Sequence, residues 1–411
     1  MIEMVVPDGW QTSDIKNLVE KIIDNRGKTP PLSDNGYELI ELNSISDSNK
    51  NPNFESVTKY VSDETYCSWF RSGHPEKGDV LVPTVGSIGQ FAILDVSRGC
   101  IAQNLIGMRA NKNIDNDFFY YLCNGRIVQN GISSVLMGAV QPSLKVPNFL
   151  GINVHIPPLP EQQKIASILT SVDEVIEKTQ SQINKLQDLK KATMNELLTR
   201  GIGHTEFKDS PLGRIPVEWN ISKLGELGKC IRGLTYSPSD IVEYGLLVLR
   251  SSNIQDGRLD FVDKVYVNVN VDDQFLTKDG DILICVRNGS RNLIGKSTLI
   301  QTALKNSTHG AFMTVFRSNI NHFLQHLIKS NLFFKYVSRD IGATINSINN
   351  SNLLQYRFLI PPVIEQQKII SILDSIDSNI EEKQRKLQKN QSFKKSLMQD
   401  LLTGKVRVQV N

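Results

Sequence analysis

Cysteine is sparse in this chain and never paired along it: Cys67, Cys100, Cys123, Cys230 and Cys285 stand far apart, with no Cys-x-x-Cys. That spacing argues against a zinc site and against a disulfide scaffold, and suits a reducing cytoplasm. No run of about 18 apolar residues occurs, so a membrane-spanning helix is not expected. The opening residues, MIEMVVPDGW, show neither the basic nor the apolar region of an export signal. A strong excess of one charge is also missing: 46 Lys and Arg face 43 Asp and Glu, so whole-chain electrostatics does not announce a nucleic-acid binder. What remains, 40% hydrophobic and 22% charged residues, is the composition of folded protein, and 411 residues suggest two or more domains.

The positive signal is an internal repeat. Residues 156–199 read IPPLPEQQKIASILTSVDEVIEKTQSQINKLQDLKKATMNELLT, and residues 360–403 read IPPVIEQQKIISILDSIDSNIEEKQRKLQKNQSFKKSLMQDLLT. The offset is 204 residues without a gap, and 24 of 44 positions are identical. Two copies of such a unit nearly fill the chain. Each segment predicts one long helix. Ile-Pro-Pro ends what precedes it, no Pro or Gly interrupts 161–200 or 365–403, and Gly201 and Gly404 follow as C-terminal stops. Apolar residues recur at 3–4 spacing: Leu169, Val172, Ile176, Ile183, Leu186 and Leu197 in one copy, Leu373, Ile376, Ile380, Leu387, Leu397 and Leu401 in the other. About 40 residues span roughly 60 Å, and so long a helix with one narrow stripe needs a partner. The other copy is the economical choice, which predicts an antiparallel, coiled-coil-like pair.

Before each helix lies a longer segment of short β-like runs broken by Gly, Asn and Asp, such as GDVLVPTVGSIGQFAIL (78–94) and GDILICVRNGSRNLIGKSTLI (280–300). These segments match weakly but in order. Trp10 answers to Trp219, Tyr60-Val61 to Tyr266-Val267, Gly78-Asp79 to Gly280-Asp281, and Gly138-Ala139 with Ser143 to Gly342-Ala343 with Ser347. The expected fold is therefore α+β: a mixed globule (1–157), a long helix (158–203), a second globule (204–361), and a second helix with a tail (362–411). Two diverged globules on one frame suit two related readings of an extended, repetitive partner such as DNA.

The order globule, Pro-Pro-x-x-Glu-Gln-Gln-Lys-Ile helix, globule, Pro-Pro-x-x-Glu-Gln-Gln-Lys-Ile helix resembles the specificity subunits of type I restriction–modification systems, over the whole chain. The stretches that carry the likeness are PPLPEQQKIASIL (157–169), PPVIEQQKIISIL (361–373), the helix ends MNELLT and MQDLLT, and LRSSNIQDGRLDF (249–261), YVNVNVDD (266–273) and GDILI (280–284). In the first globule LNSISDSN stands where the second has Asn-Ile-x-Asp-Gly. The resemblance implies a cytoplasmic, non-catalytic subunit that itself holds no cofactor or metal. Each globule would be a target recognition domain reading half of a bipartite, asymmetric duplex site. The helices would space the globules and dock two methyltransferase subunits, which bind S-adenosylmethionine; two motor–nuclease subunits, using ATP and magnesium, would complete the complex.

Charge is uneven along the chain: residues 1–157 carry 13 basic and 17 acidic side chains, residues 202–361 carry 18 and 14. Phosphate neutralisation dominates DNA affinity, so an acidic first globule needs its basic residues on one face, partner subunits, or both. Base reading needs Arg, Lys, Asn or Gln on loops near the groove. In the second globule the candidates are Arg250, Ser251, Asn253, Arg287, Asn288, Arg291 and Lys296. In the first they are Asn43, Ser44, Thr84 and Ser87, with Arg71, Gln141 and Lys145 beside them. A third loop, before the final strand, adds Asn346, Ser347 and Asn349. Three motifs compete with this reading. Ser290-Arg291-Asn292-Leu293-Ile294-Gly295-Lys296-Ser297 is one residue short of a Walker A loop, and a P-loop ATPase is the alternative it offers. Asn51-Pro52-Asn53-Phe54 faintly resembles an adenine-methyltransferase motif, although a turn explains it. His322 and His326 could share one face of an amphipathic helix running through HFLQHLIKSNLFFKYV, where packing explains them better than a metal.

Overall fold

The computed structural model describes residues 6–46, 49–136, 142–301, 304, 306–341 and 346–410. It divides into two compact units: residues 1–182 with 383–411, and residues 183–382. Each unit holds one globule, the first half of the helix that follows it, and the second half of the other long helix. Together they are a mixed helix-and-sheet protein built as an internal repeat.

In the first unit Val19–Ile23, Leu105–Ala110, Val80–Pro83 and Ala92–Ile93 form an antiparallel sheet in that order. Tyr60–Val61, Tyr37–Ile40 and Cys100–Ile101 form a second sheet, whose last pair is parallel. Gln11–Asp14 pairs antiparallel with Asn153–Ile156, so the start of the globule is tied to its end. The second unit repeats this plan. Lys229–Arg232, Met313–Arg317, Ile282–Cys285 and Ser297–Leu299 make the antiparallel sheet. Ile241–Val242, Tyr266–Val267, Leu246–Leu249 and Ser307–His309 make the second, again with one parallel pair. Asn220–Lys223 closes on Arg357–Ile360.

The weak sequence match thus records a shared topology, and its Gly-Asp dipeptide has a structural cause. Gly78 and Gly280 adopt φ +89° and +81°, a turn that non-glycine residues resist. The turn delivers Asp79 and Asp281, both buried, to the adjacent strand. There Arg109 donates from Nε and Nη2 to Asp79, each at 3.0 Å. Arg317 does the same to Asp281 at 2.8 and 2.7 Å. A buried carboxylate persists because the forked guanidinium and a backbone N–H (Glu76 or Lys278, both 2.7 Å) fill its lone pairs.

The long helices run Leu159–Thr199 and Val363–Leu402, and Gly201 and Gly404 follow with positive φ. Their pairing is antiparallel in each unit. Lys394 Nζ lies 2.5 Å from Asp173 Oδ1 in the first unit, and Lys190 Nζ lies 2.5 Å from Asp377 Oδ1 in the second. One ion pair becomes the other by the 204-residue shift. The expected apolar stripe needs a correction. Leu169, Leu397 and Leu401 pack into the core of the first globule, beside Phe118 and Tyr121, and Leu197 and Leu373 pack into that of the second. A helix-only seam is therefore too narrow a description, because each globule uses the helices as one wall of its core. Of the remaining stripe residues, Ile183 and Ile380 are buried, and Val172, Ile176, Leu186, Ile376 and Leu387 are half-buried.

The run HFLQHLIKSNLFFKYV is two helices rather than one, Asn321–Ile328 and Asn331–Asp340. Ser330 starts the second by accepting from Phe333 N, a serine N-cap inside an otherwise periodic pattern. His326 is buried with Nε2 3.4 Å from Asp374, while His322 is exposed. Among the described residues no three His, Cys, Asp or Glu side chains gather as a metal site would require. No described helix is long and apolar enough to cross a membrane.

Candidate nucleic-acid interface

In the second globule the three expected loops meet. The segment after Ile282–Cys285 turns through Arg287-Asn288-Gly289 and a 3-10 turn, Arg291–Leu293, before returning as Ser297–Leu299. Asn288 Nδ2 donates to Ser251 Oγ at 3.1 Å, joining this hairpin to the turn Ser251–Asn253. Arg287 bridges to Ser347, Ile348 N donates to Val286 O at 2.8 Å, and Asn346 Nδ2 donates to Gly289 O at 3.0 Å. Arg287, Arg291 and Asn349 are exposed; Arg250, Ser251, Asn288, Lys296, Asn346 and Ser347 are half-buried.

The first globule builds the same junction from different side chains. Val85 bridges to Ser143, and Leu144 N donates to Thr84 O at 2.7 Å. Gly86 lies so close to Leu42 that an added Cβ would stand 3.1 Å from its Cδ1. Asn43 and Lys145 are exposed and Ser87 is half-buried. Arg71 is exposed elsewhere, on the turn that Asn25 holds through Ser72 N and Gly73 O. Gln141 lies outside the described residues, as do Gly138-Ala139 and Gly342-Ala343.

Three candidates are corrected by burial. Asn253 is fully buried, its amide nitrogen donating to Asp260 O and Asp263 O while its oxygen accepts from Arg250 N. It holds the turn together and has no edge left for a base. Thr84 is buried and donates to Asn104 O at 3.1 Å. Ser44 is buried and accepts from Ser56 Oγ at 3.3 Å. Arg250 is partly committed too, since its Nη2 meets Asp263 at 2.6 Å. Asp256-Gly257 in the Asn-Ile-x-Asp-Gly motif is the two-residue turn of a hairpin between Ile254–Gln255 and Arg258–Leu259, with φ +49° and +75°.

The motif reading missed Phe312. This residue ends the turn between Ser307–His309 and Met313–Arg317, and 58% of its surface is exposed. Its carbonyl accepts from Val286 N and Arg287 N, both at 3.0 Å, and the Arg287 guanidinium lies 5.9 Å from its ring centroid. Asn104 is its counterpart in the first globule, where its carbonyl accepts from Thr84 N at 2.8 Å. An aromatic residue inside a turn breaks no periodicity, so only the fold reveals it.

The near-Walker segment is not a phosphate loop. A P-loop opens a helix at its Lys-Ser end, whereas Ser297 begins a buried strand. Asn51-Pro52-Asn53-Phe54 is a turn, with Asn53 capping Glu55 N and Asn51 donating to Ile93 O at 2.8 Å. Burial pushes the thiols of Cys100 and Cys230 up to about 12 and about 11, and raises those of Cys123 and Cys285 as well, so these sulfurs stay protonated at neutral pH.

The family described as the type I restriction modification DNA specificity domain matches this chain twice, over residues 7–188 and 216–389. The chain belongs to that family. The MjaVIII type I restriction enzyme specificity subunit of Methanocaldococcus jannaschii is 29% identical over 427 residues, covering 98% of this chain and 94% of the relative. The EcoKI specificity subunit of Escherichia coli is 29% identical over 204 residues, 47% of this chain. Among solved structures, the type I system S subunit from M. genitalium covers 98% of both chains with a TM-score of 0.59 at 16% identity. A chain from a study of complex assembly and conformational transition in a type I system reaches 0.60 at 16% identity, covering 98% of this chain and all of that one. At such identity the likeness concerns the fold.

Proposed function

We propose that this member of the specificity-subunit family is the non-catalytic DNA reader of a type I restriction–modification complex. Each globule reads one half of a bipartite, asymmetric site. The helices dock two methyltransferase subunits, which bind S-adenosylmethionine, and two motor–nuclease subunits that use ATP and magnesium join them. The observation that carries the reading is the contrast within the repeat. The strand order of the four-stranded antiparallel sheet, the buried Asp–Arg pair and the helix Lys–Asp pair occur twice, while the loop junction is rebuilt with different side chains in each globule. Invariant frame with divergent loops suits one task carried out on two base sequences. The acidic balance of the first globule fits a reader whose partners supply part of the phosphate contact. The test is methylation mapping of a host carrying the chain with its methyltransferase. A bipartite adenine-methylated motif that vanishes with this chain is expected; methylation unaffected by its loss would refute the proposal.

A further inference from the structure

We propose that Arg287 and Phe312 form a reading pair for a guanine and a neighbouring thymine in the half-site of the second globule. The inference rests on the DNA-reading function above and adds the residues and the bases they select.

Arg287 is available for a base. It is exposed, and among the described residues no carboxylate neutralises it, whereas neighbouring Arg250 is paired with Asp263. Arginine matches the O6 and N7 acceptors of guanine with two parallel N–H donors, the commonest specific contact in the major groove. Its backbone is fixed, through Phe312 O on one side and the bridge to Ser347 on the other.

Phe312 is an exposed ring on a rigid mount. Gly310 N donates to Leu249 O, Ala311 N to Leu234 O and Met313 N to Gly310 O, each at 2.9 Å. The chain passes Gly233 so closely that a Cβ there would stand 2.1 Å from Gly310 O. Little conformational freedom is left to lose on binding, which favours an aromatic anchor. A phenyl ring beside an unneutralised guanidinium suits a surface that offers hydrogen-bond acceptors at its edge and is apolar in one spot. In the major groove that apolar spot is the thymine C5-methyl group. In the first globule the same two places hold Val85 and Asn104, so the pair distinguishes one reader from the other.

The test uses the chain assembled with its methyltransferase partner, on duplexes carrying the mapped site. Arg287→Ala is expected to relax one G·C position of one half-site, with a loss of about 10- to 100-fold there. Replacing the neighbouring thymine by uracil, which lacks the methyl, is expected to weaken wild-type binding about four-fold, the share of one covered methyl. Phe312→Ala is expected to bind equally to thymine and uracil duplexes, and Phe312→Leu to keep part of the preference. Unchanged melting separates these effects from misfolding. The pair is overturned if wild type ignores the thymine methyl throughout that half-site, if Phe312→Ala still senses it, or if Arg287→Ala leaves base preference intact. Loss of all site-specific binding by the wild-type complex would instead overturn the DNA-reading function, and the pair with it.

Discussion

The two places where a long helix meets a globule are the same joint with a different side-chain donor. In the first unit Glu161 is buried, accepts from Trp10 Nε1 at 3.2 Å, and takes two N–H donors from Arg407 at 2.7 and 2.8 Å. In the second, Glu365 accepts from Trp219 Nε1, from His204 Nε2 and from Ile202 N, all at 2.8 Å. Each glutamate belongs to a Glu-Gln-Gln-Lys-Ile motif, and each donor, Arg407 or His204, lies just past the end of the other helix. The motif is therefore repeated for a mechanical reason. It supplies the buried acceptor that locks a returning chain segment onto the Trp-bearing start of a globule. The contrast extends to the globules themselves: the Gly-Asp turn and its arginine partner are duplicated, and the side chains of the loop junction are not.

The most drastic way to break the symmetry is to exchange residues 1–157 for another globule of the family. One half-site should change completely while the other stays, as methylation mapping would show; a change in both would end the idea of independent readers. Next in size is Asp281→Ala, which strands Arg317 in the sheet and should cost the second unit about 3 kcal/mol or more. Calorimetry should show that unit melting earlier, with Asp79→Ala the mirror case in the first.

Acid should sharpen the contrast further. His309, fully buried with Nε2 3.0 Å from the Ile231 carbonyl, is pushed down to about 4 by desolvation. Its counterpart in the first globule is Ile101, which cannot titrate. Between about pH 6.5 and 4 the unfolded chain binds a proton that folded His309 refuses, so this group removes stability as pH falls. The loss through His309 is roughly 3 kcal/mol at pH 4. A His309→Gln variant should show a flatter pH profile in calorimetry; an unchanged slope would contradict the assignment. Leu186→Asp and Leu387→Asp, at half-buried positions, should cost about 1–2 kcal/mol and weaken partner-subunit binding without altering base choice. Smallest of all, Lys190→Ala removes a partly exposed ion pair and should cost about 1 kcal/mol or less, whereas Lys394→Ala leaves the buried Asp173 with the Tyr121 hydroxyl and should cost more, so calorimetry should show the first unit hit harder.

Much of the frame was legible before any fold was drawn. Helices that start at Pro-Pro, run without a break and stop at glycine declare themselves, because propensity and periodicity act within one segment. The loops that meet at the candidate interface were also readable, since their order in the chain is the same in both copies. Single side chains within them were not. Ser44, Thr84 and Asn253 have the chemistry of base readers, yet each is buried and spends it on a neighbouring segment of its own globule. Phe312 has the chemistry of a core residue and stands outside.

Sequence alone, then, determined the duplication, the two long helices and the family, because all three are written as local pattern and repeated spacing. Tertiary structure decided which leucines of the stripe line a globule core, which donor answers each buried glutamate, and which polar side chains keep a free edge. Those outcomes depend on segments far apart in the chain, such as Arg407 and Glu161, and whether a polar group is spent or available is settled only by the neighbour that folding brings to it.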